Sequence, residues 1–226
     1  MFEKGGLMDS PGVVIYGASK PHKGGGGHGK VVADILECSG ATIIGFLDDN
    51  KDLQGTKFFG YFVLGGREKL SKLLEAGCRH TIIAIGNNVM RRKLAKMLKT
   101  TGFGFSTAIH PRAVIARSAK IGAGTVIAAT AVVNPDVIVG KQCIINTGAV
   151  VEHDNIIGSF VHIAPGARLG GRVIVGDGTD VFTNATILPD ICVGKNCVVG
   201  AGAIVLKDVP DGATIVGNPA RMVKIR

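Results

Sequence analysis

The sequence predicts an α/β protein in two parts, a small βαβ domain over residues 11–108 and a parallel β-helix over residues 109–226. Three observations predict this. Every sixth residue from Ile109 to Val205 is Ile, Val or Leu, with no slip in register. The first hundred residues instead alternate short apolar runs with amphipathic stretches. A glycine-rich loop, from Gly17 to Lys30, follows the first of those runs.

A period of six fits neither one helix face nor a sheet of hairpins, but it suits a solenoid of stacked short strands. The fifth position of the hexad is small or β-branched, as at Ala131, Val137, Cys143, Ala149, Val161, Ala185 and Cys197. One large aliphatic and one small residue per side fill a narrow three-sided core, so three hexads make a coil. The series then gives just under six coils, a prism of roughly 25–30 Å at ~4.8 Å per layer. The second position is often Gly, Ala or Asn (Gly122, Ala128, Gly140, Asn146, Gly158, Gly176, Gly194). These residues are expected at tight corners with unusual backbone angles.

In the first domain, residues 13–16 read as a buried strand. Residues 30–38 read as a helix stopped by Gly40, and residues 42–47 as a second strand ending at Asp48-Asp49-Asn50. A helix over 68–75 stops at Gly77, a third strand covers 81–85, and a helix covers 89–99. This alternation predicts a Rossmann-like βαβ unit with a parallel sheet. Gly24, Gly26 and Gly29 match G-x-G-x-x-G, with Asp48 about twenty residues on. A run of four glycines matches almost any glycine pattern, so the firmer statement is narrower. A glycine loop between strand and helix exposes N–H groups at a positive helix end, where phosphates bind. Asp48 and Asp49 would be placed to accept hydrogen bonds from a ribose or base.

The net charge is +9 with no Trp. The basic cluster Arg91, Arg92, Lys93, Lys96 and Lys99 falls on an expected helix, mostly on its solvated side. It lacks the interleaved aromatic residues that nucleic-acid binding uses, so no nucleic-acid partner is predicted. Anionic small molecules account for the charge equally well. No apolar run reaches a membrane span, and residues 1–10 lack a signal core, which predicts a cytoplasmic protein without membrane association. None of the five cysteines forms a C-x-x-C pair, and Cys143 and Cys197 fall at inward positions as small hydrophobes.

Several runs carry a family resemblance. These are His28-Gly29-Lys30-Val31-Val32-Ala33-Asp34, Gly45-Phe46-Leu47-Asp48-Asp49-Asn50 and Ala84-Ile85-Gly86-Asn87 in the first half. In the second half they are Ile145 through Asp154, His162-Ile163-Ala164-Pro165-Gly166 and Gly217-Asn218-Pro219-Ala220-Arg221. Together they resemble the bacterial nucleotide-amino-sugar N-acetyltransferases and sialic acid O-acetyltransferases of the hexapeptide-repeat type. The resemblance implies a left-handed β-helix, acetyl-CoA as co-substrate, a nucleotide-sugar substrate, no metal, and a homotrimer with sites between subunits. It also implies that residues 11–108 hold the nucleotide-sugar, with Gly27, His28, Gly29, Lys30, Asp48, Asp49 and Gly86 as contacts. Relatives have a shorter loop, so residues 20–26 read as an insertion.

Acetyl transfer to an amine needs a base near the nucleophile and donors for the oxyanion. His153 is the expected base, since neutral imidazole suits the task and the third hexad position faces outward. Both neighbours are acidic, and the resemblance favours the residue after it, Asp154, as the orienting carboxylate, with Glu152 as its rival. Asn146 is expected to bond the substrate or the histidine. The resemblance places His162, half a coil from His153, near the acetyl-CoA thioester, and adds Gly171, Thr183 and Ala201 as coenzyme contacts. Three rival classes fit less well. A γ-class carbonic anhydrase needs three zinc-bound histidines, and residues 111–226 contain only His153 and His162. A nicotinamide-dependent dehydrogenase would lack a catalytic domain. A binding-only solenoid has no need of His153 beside Asp154. The sequence leaves UDP against GDP, and amine against hydroxyl, open.

Overall fold

The structure is a computed structural model that describes residues 12–18 and 27–225. The expectations for residues 1–10 and for the insertion at 20–26, including Gly24 and Gly26, lie outside the described residues. Two compact units are present. The first holds the described residues up to Ile85 together with Lys93–Ser106, and the second holds Gly86–Arg92 with the chain from Thr107 onward.

The first unit is a six-stranded sheet with helices. Its elements are β1 (Val13–Tyr16), α1 (Gly27–Cys38), β2 (Ile43–Leu47), β3 (Lys57–Phe58), β4 (Tyr61–Gly65), α2 (Leu70–Glu75), β5 (His80–Ile83), α3 (Asn88–Thr100, beginning in the second unit) and β6 (Gly104–Phe105). The sheet order is β3-β4-β2-β1-β5-β6, parallel except for the β3–β4 hairpin. Val14, Ile15, Phe46, Leu47, Ile82 and Ile83 are fully buried, as near-continuous apolar runs in a covered parallel sheet should be. Because β1 lies between β2 and β5, the sheet reverses direction of growth at β1. The crevice beyond its C-terminal end is therefore the natural ligand position.

Two details differ from expectation here. The hairpin at Lys57–Gly65 was not foreseen, because its Gly-flanked aromatic strands follow a short 3₁₀ turn rather than a clear alternation. Helix α1 begins at Gly27 rather than Lys30, so His28, Gly29 and Lys30 belong to its first turn and not to a free loop.

The second unit is the solenoid. Two-residue strands pair in parallel with partners eighteen residues away, as Val126 with Ile144 and Val132 with Val150. They build three faces. Face one runs from Ala108–Ile109 through His162–Ile163 to the C-terminal hairpin, face two contains Val150–Val151, and face three contains Ile156–Ile157. The first and fifth hexad residues fill the interior, from Ile127 and Ala131 to Val205.

The corner chemistry corrects the sequence reading. Left-handed backbone angles occur at the fourth hexad position, as at Gly124, Thr130, Asp136, Gln142, Gly148, Asp154, Phe160 and Gly166. The second-position glycines do not have positive φ. They are small because the next coil lies against them, and a Cβ on Gly122 would fall 2.5 Å from the Gly140 carbonyl. The second position thus responds to crowding between coils, and the fourth to the turn itself.

The basic cluster lies mostly on the solvated side of α3, with one exception. Arg92, Lys93, Lys96 and Lys99 are exposed, but Arg91 is only 1% exposed. Its guanidinium donates to the carbonyls of Gly86, Gln142 and Phe160, and Asn88 donates to Gly178 O. Gln142, Phe160 and Gly178 are the fourth-position residues of one corner in three successive coils. Burial lowers the Arg91 pKa to about 10, so it remains a cation at neutral pH. Among the described residues no helix is long and apolar enough to cross a membrane.

Candidate active site

Asp154 sits at a fourth position with φ +60°. That left-handed residue turns the chain back at the corner between faces two and three, bringing its Oδ2 to 2.7 Å from Nδ1 of His153. Both side chains are about half exposed, at 50% and 52%. A carboxylate at Nδ1 fixes the tautomer that leaves a lone pair on Nε2. Glu152 instead accepts from Asn134 of the preceding coil at 2.9 Å. Beneath the imidazole lies Gly171, where a Cβ would stand 2.7 Å from both Cε1 and Nε2 of His153. The ring fits only because that position carries no side chain.

Asn146 and His162 form a separate cluster on face one and its edge. Asn146 lies 3.2 Å from Nε2 of His162, and Asp180 Oδ1 is 3.9 Å from Nδ1. The Asn146 amide nitrogen can only donate, so Nε2 accepts and the imidazole is neutral. His162 is 18% exposed. Burial, and then the Arg91 charge, lower its pKa to about 4. Asn146 is thus bonded to His162 and not to His153. Thr183 and Ala201 are exposed third-position residues stacked one coil apart at the corner after face one. Gly171 belongs to the His153 corner instead. One chain therefore presents two groups, His153–Asp154–Gly171 on one corner and Asn146–His162 with Thr183 and Ala201 around face one.

In the first unit, Asp48 Oδ2 accepts from Ala18 N at 3.0 Å and its Oδ1 from Asn50 N at 2.8 Å, which ties the start of the glycine loop to the end of β2. Asp49 accepts from the Tyr16 hydroxyl at 2.7 Å and is paired with Arg67. Arg67 and the Tyr16 hydroxyl hold the Asp49 pKa below the ordinary carboxylate value despite partial burial, while burial and Asp49 push the Tyr16 phenol upward. Most of the Asp49 oxygen capacity is therefore spent within the fold, whereas among the described residues each Asp48 oxygen accepts a single hydrogen bond. Gly29 is buried, and a Cβ there would fall 2.5 Å from Gly17 O, so its size serves the approach of α1 to β1. His28 is half-buried, Gly27 is exposed, and Lys30 reaches over the Phe58 ring at 5.9 Å. Gly86, in the second unit, accepts from Arg91 and leaves open space where a side chain would be.

The sequence reading missed Asn155. It fills a fifth position, is 0% exposed, and donates to the Glu152, His153 and Gly170 carbonyls. The available signal was an amide where the neighbouring coils carry Val.

A βαβ unit joined to a solenoid with a carboxylate-paired, outward histidine defines a class, the hexapeptide-repeat acetyltransferases. Comparison with known proteins narrows it. The model of the PglD N-terminal domain matches residues 23–98. The structure is similar to GDP-perosamine N-acetyltransferase from Caulobacter crescentus, solved with coenzyme A and GDP-perosamine, at 36% identity and TM-score 0.87 over 94% of this chain and 97% of that one. It is also similar to the acetyltransferase domain of PglB from Neisseria gonorrhoeae FA1090, solved with acetyl coenzyme A, at 35% identity and TM-score 0.85 over 95% and 100%. UDP-N-acetylbacillosamine N-acetyltransferase of Bacillus subtilis (strain 168) is 41% identical over 100 residues, 43% of this chain, and the match spans only 45% of that relative. The chain belongs to the nucleotide-amino-sugar N-acetyltransferases of the hexapeptide-repeat family, with their Rossmann-like domain and left-handed β-helix.

Proposed function

We propose that the protein transfers the acetyl group of acetyl-CoA to the 4-amino group of a UDP-linked deoxy-amino-sugar, for the building of a bacterial surface glycan. The observation that carries this reading is the His153–Asp154 pair, 2.7 Å apart on an exposed corner above a glycine. The neutral sugar amine attacks the thioester carbonyl while Nε2 of His153 takes its proton. Asp154 stabilises the imidazolium. The tetrahedral oxyanion is received by a backbone donor, for which Gly171 N–H is suited, having no acceptor among the described residues. The C–S bond then breaks, and the proton on His153 passes to the departing thiolate. No acyl-enzyme is needed. Cys143 is buried with its thiol pKa raised to about 11, and Cys197 is buried with its own raised, so neither is an available nucleophile.

His162, neutral and held by Asn146, is suited to hydrogen-bond the coenzyme rather than to move protons. The two histidines lie on different sides of the coil, so a complete site calls for a second subunit, as in a homotrimer. Mixing His153→Ala with His162→Ala subunits tests this, since shared sites regain activity and self-contained ones do not. Of the named contacts in the first unit, Asp48 and the N-terminal turn of α1, with Gly27 and Lys30 exposed on it, are the groups suited to hold a nucleotide. A GDP-linked amino-sugar is the second reading, favoured by the likeness to the GDP-perosamine enzyme across nearly the whole chain. A thiol-release assay over UDP- and GDP-linked 4-amino-sugars decides between them, and turnover of free sialic acid alone overturns both.

A further inference from the structure

We propose that Asn155 is a positioning residue for catalysis, an amide that fixes the backbone of the His153 turn. The inference rests on His153 being the general base. Three observations carry it.

The first is the column in which Asn155 stands. At eighteen-residue spacing the same corner has Ala119, Val137, Asn155, Val173 and Ile191 at its inward fifth position. The one coil that bears the histidine is the one with an amide.

The second is its bonding. Its Nδ2 stands 2.5 Å from Glu152 O, 3.4 Å from His153 O and 2.8 Å from Gly170 O. The fifth-position thiols Cys143 and Cys197 reach one carbonyl of their own turn, two residues back at 3.6 Å, and the fifth-position threonines only stitch coil to coil. Thr179 donates to Gly194 O, fifteen residues on, and accepts from Cys197 N, and Thr125 does the same with Gly140 and Cys143. Asn155 makes the stitch to Gly170 and also holds the two carbonyls on either side of the His153 peptide. Gly170 precedes Gly171, the floor under the imidazole. One amide thus fixes the turn that carries the ring and the strand end on which it rests.

The third is that the arrangement is costly. Asn155 is wholly buried, and its Oδ1 has no hydrogen-bond partner among the described residues. An orphaned buried acceptor opposes folding, in a column where Val packs without penalty. An amide retained there is explained by what its donors do at the His153 turn.

The test is Asn155→Val, which restores the column's usual residue, and Asn155→Thr, which keeps a coil-to-coil donor but is too short to reach back along the turn. Both are assayed as whole enzymes with acetyl-CoA and a UDP-linked 4-amino-sugar, beside His153→Ala. The expected result is a melting temperature for Asn155→Val no lower than wild type. Its kcat should fall roughly 10- to 100-fold, because small displacements of a catalytic group are expensive, while KM for both substrates stays unchanged. Normal kcat in folded Asn155→Val, with His153→Ala inactive, overturns the positioning role alone. Near-normal His153→Ala overturns the base assignment beneath it. If Asn155→Val does not fold, Asn155→Thr is read by the same criteria, and failure of both to fold assigns the amide to the fold and overturns the proposal.

Discussion

The two solenoid histidines stand in opposite environments. His153 is half exposed, with a carboxylate on Nδ1 and a glycine beneath its ring. His162 is half-buried, with an amide on Nε2 and the charge of Arg91 nearby. Both belong to the same six-residue repeat, at positions three and six. The difference teaches that the repeat supplies mounting points, and that a mounting point becomes acid–base machinery or a neutral hydrogen-bonding group according to burial and the first partner.

The largest expected effect comes from removing the base. His153→Ala should lower kcat by about 10²–10⁴-fold in steady-state thiol release, with the fold intact by circular dichroism. Were His162→Ala the more damaging of the two in kcat, the contrast drawn above would be reversed. Gly171→Ala is the next largest. Its added methyl meets the imidazole rather than backbone, so His153 must swing away, and kcat should fall by roughly 10- to 100-fold. The melting curve should show the cost of a crowded surface site only, about 1 kcal/mol.

Asp154→Asn keeps the left-handed turn, since Asn tolerates positive φ, and removes only the charge. We expect roughly a tenfold loss in kcat with KM unchanged, the signature of an orienting group. Glu152→Gln, whose parent side chain is bonded to Asn134, should be near neutral in the same assay.

The smallest effect is on stability and comes from the other histidine. Its native pKa, about 4, lies below the ordinary imidazole value, so the folded state binds fewer protons than the unfolded chain between roughly pH 6.5 and 4. Stability from this group is full above that window and is lost as pH falls through it. Urea unfolding at pH 7 and pH 4.5 should show a decline that is smaller by about 2 kcal/mol in His162→Asn. An equal decline in both proteins would mean that His162 is not held neutral by the fold.

The hexad phase made much of this legible. It placed Cys143 and Cys197 inward and His153 outward, because in a strand the side-chain period alone sets which face is buried. The βαβ elements were legible for the same reason, within a residue or three at their ends. The β3–β4 hairpin was not, since its pairing with β2 depends on strands brought together from a distance. Nor was the reason for the second-position glycines, whose crowding comes from residues eighteen places on. That Arg91 is the buried member of the basic cluster was not legible either, because its partners Gln142 and Phe160 lie more than fifty residues away.

By itself the sequence determined a solenoid with a histidine–aspartate pair on its outside, joined to a parallel α/β unit with a glycine loop after its first strand. Those features rest on short-range periodicity and on neighbours in the chain. Only the tertiary structure decided that Asp154 rather than Glu152 faces the imidazole, that Asn146 serves His162, that Gly171 makes room for His153, and that Asn155 holds the turn between them. Beyond the local turn at Asp154, these depend on which coil lies above or below, through Asn134 to Glu152, His162 to Asn146, Gly171 to His153 and Gly170 to Asn155. Stacking sets that relation: the six-residue period shows that residues about eighteen apart become neighbours, but not which of their side chains bond.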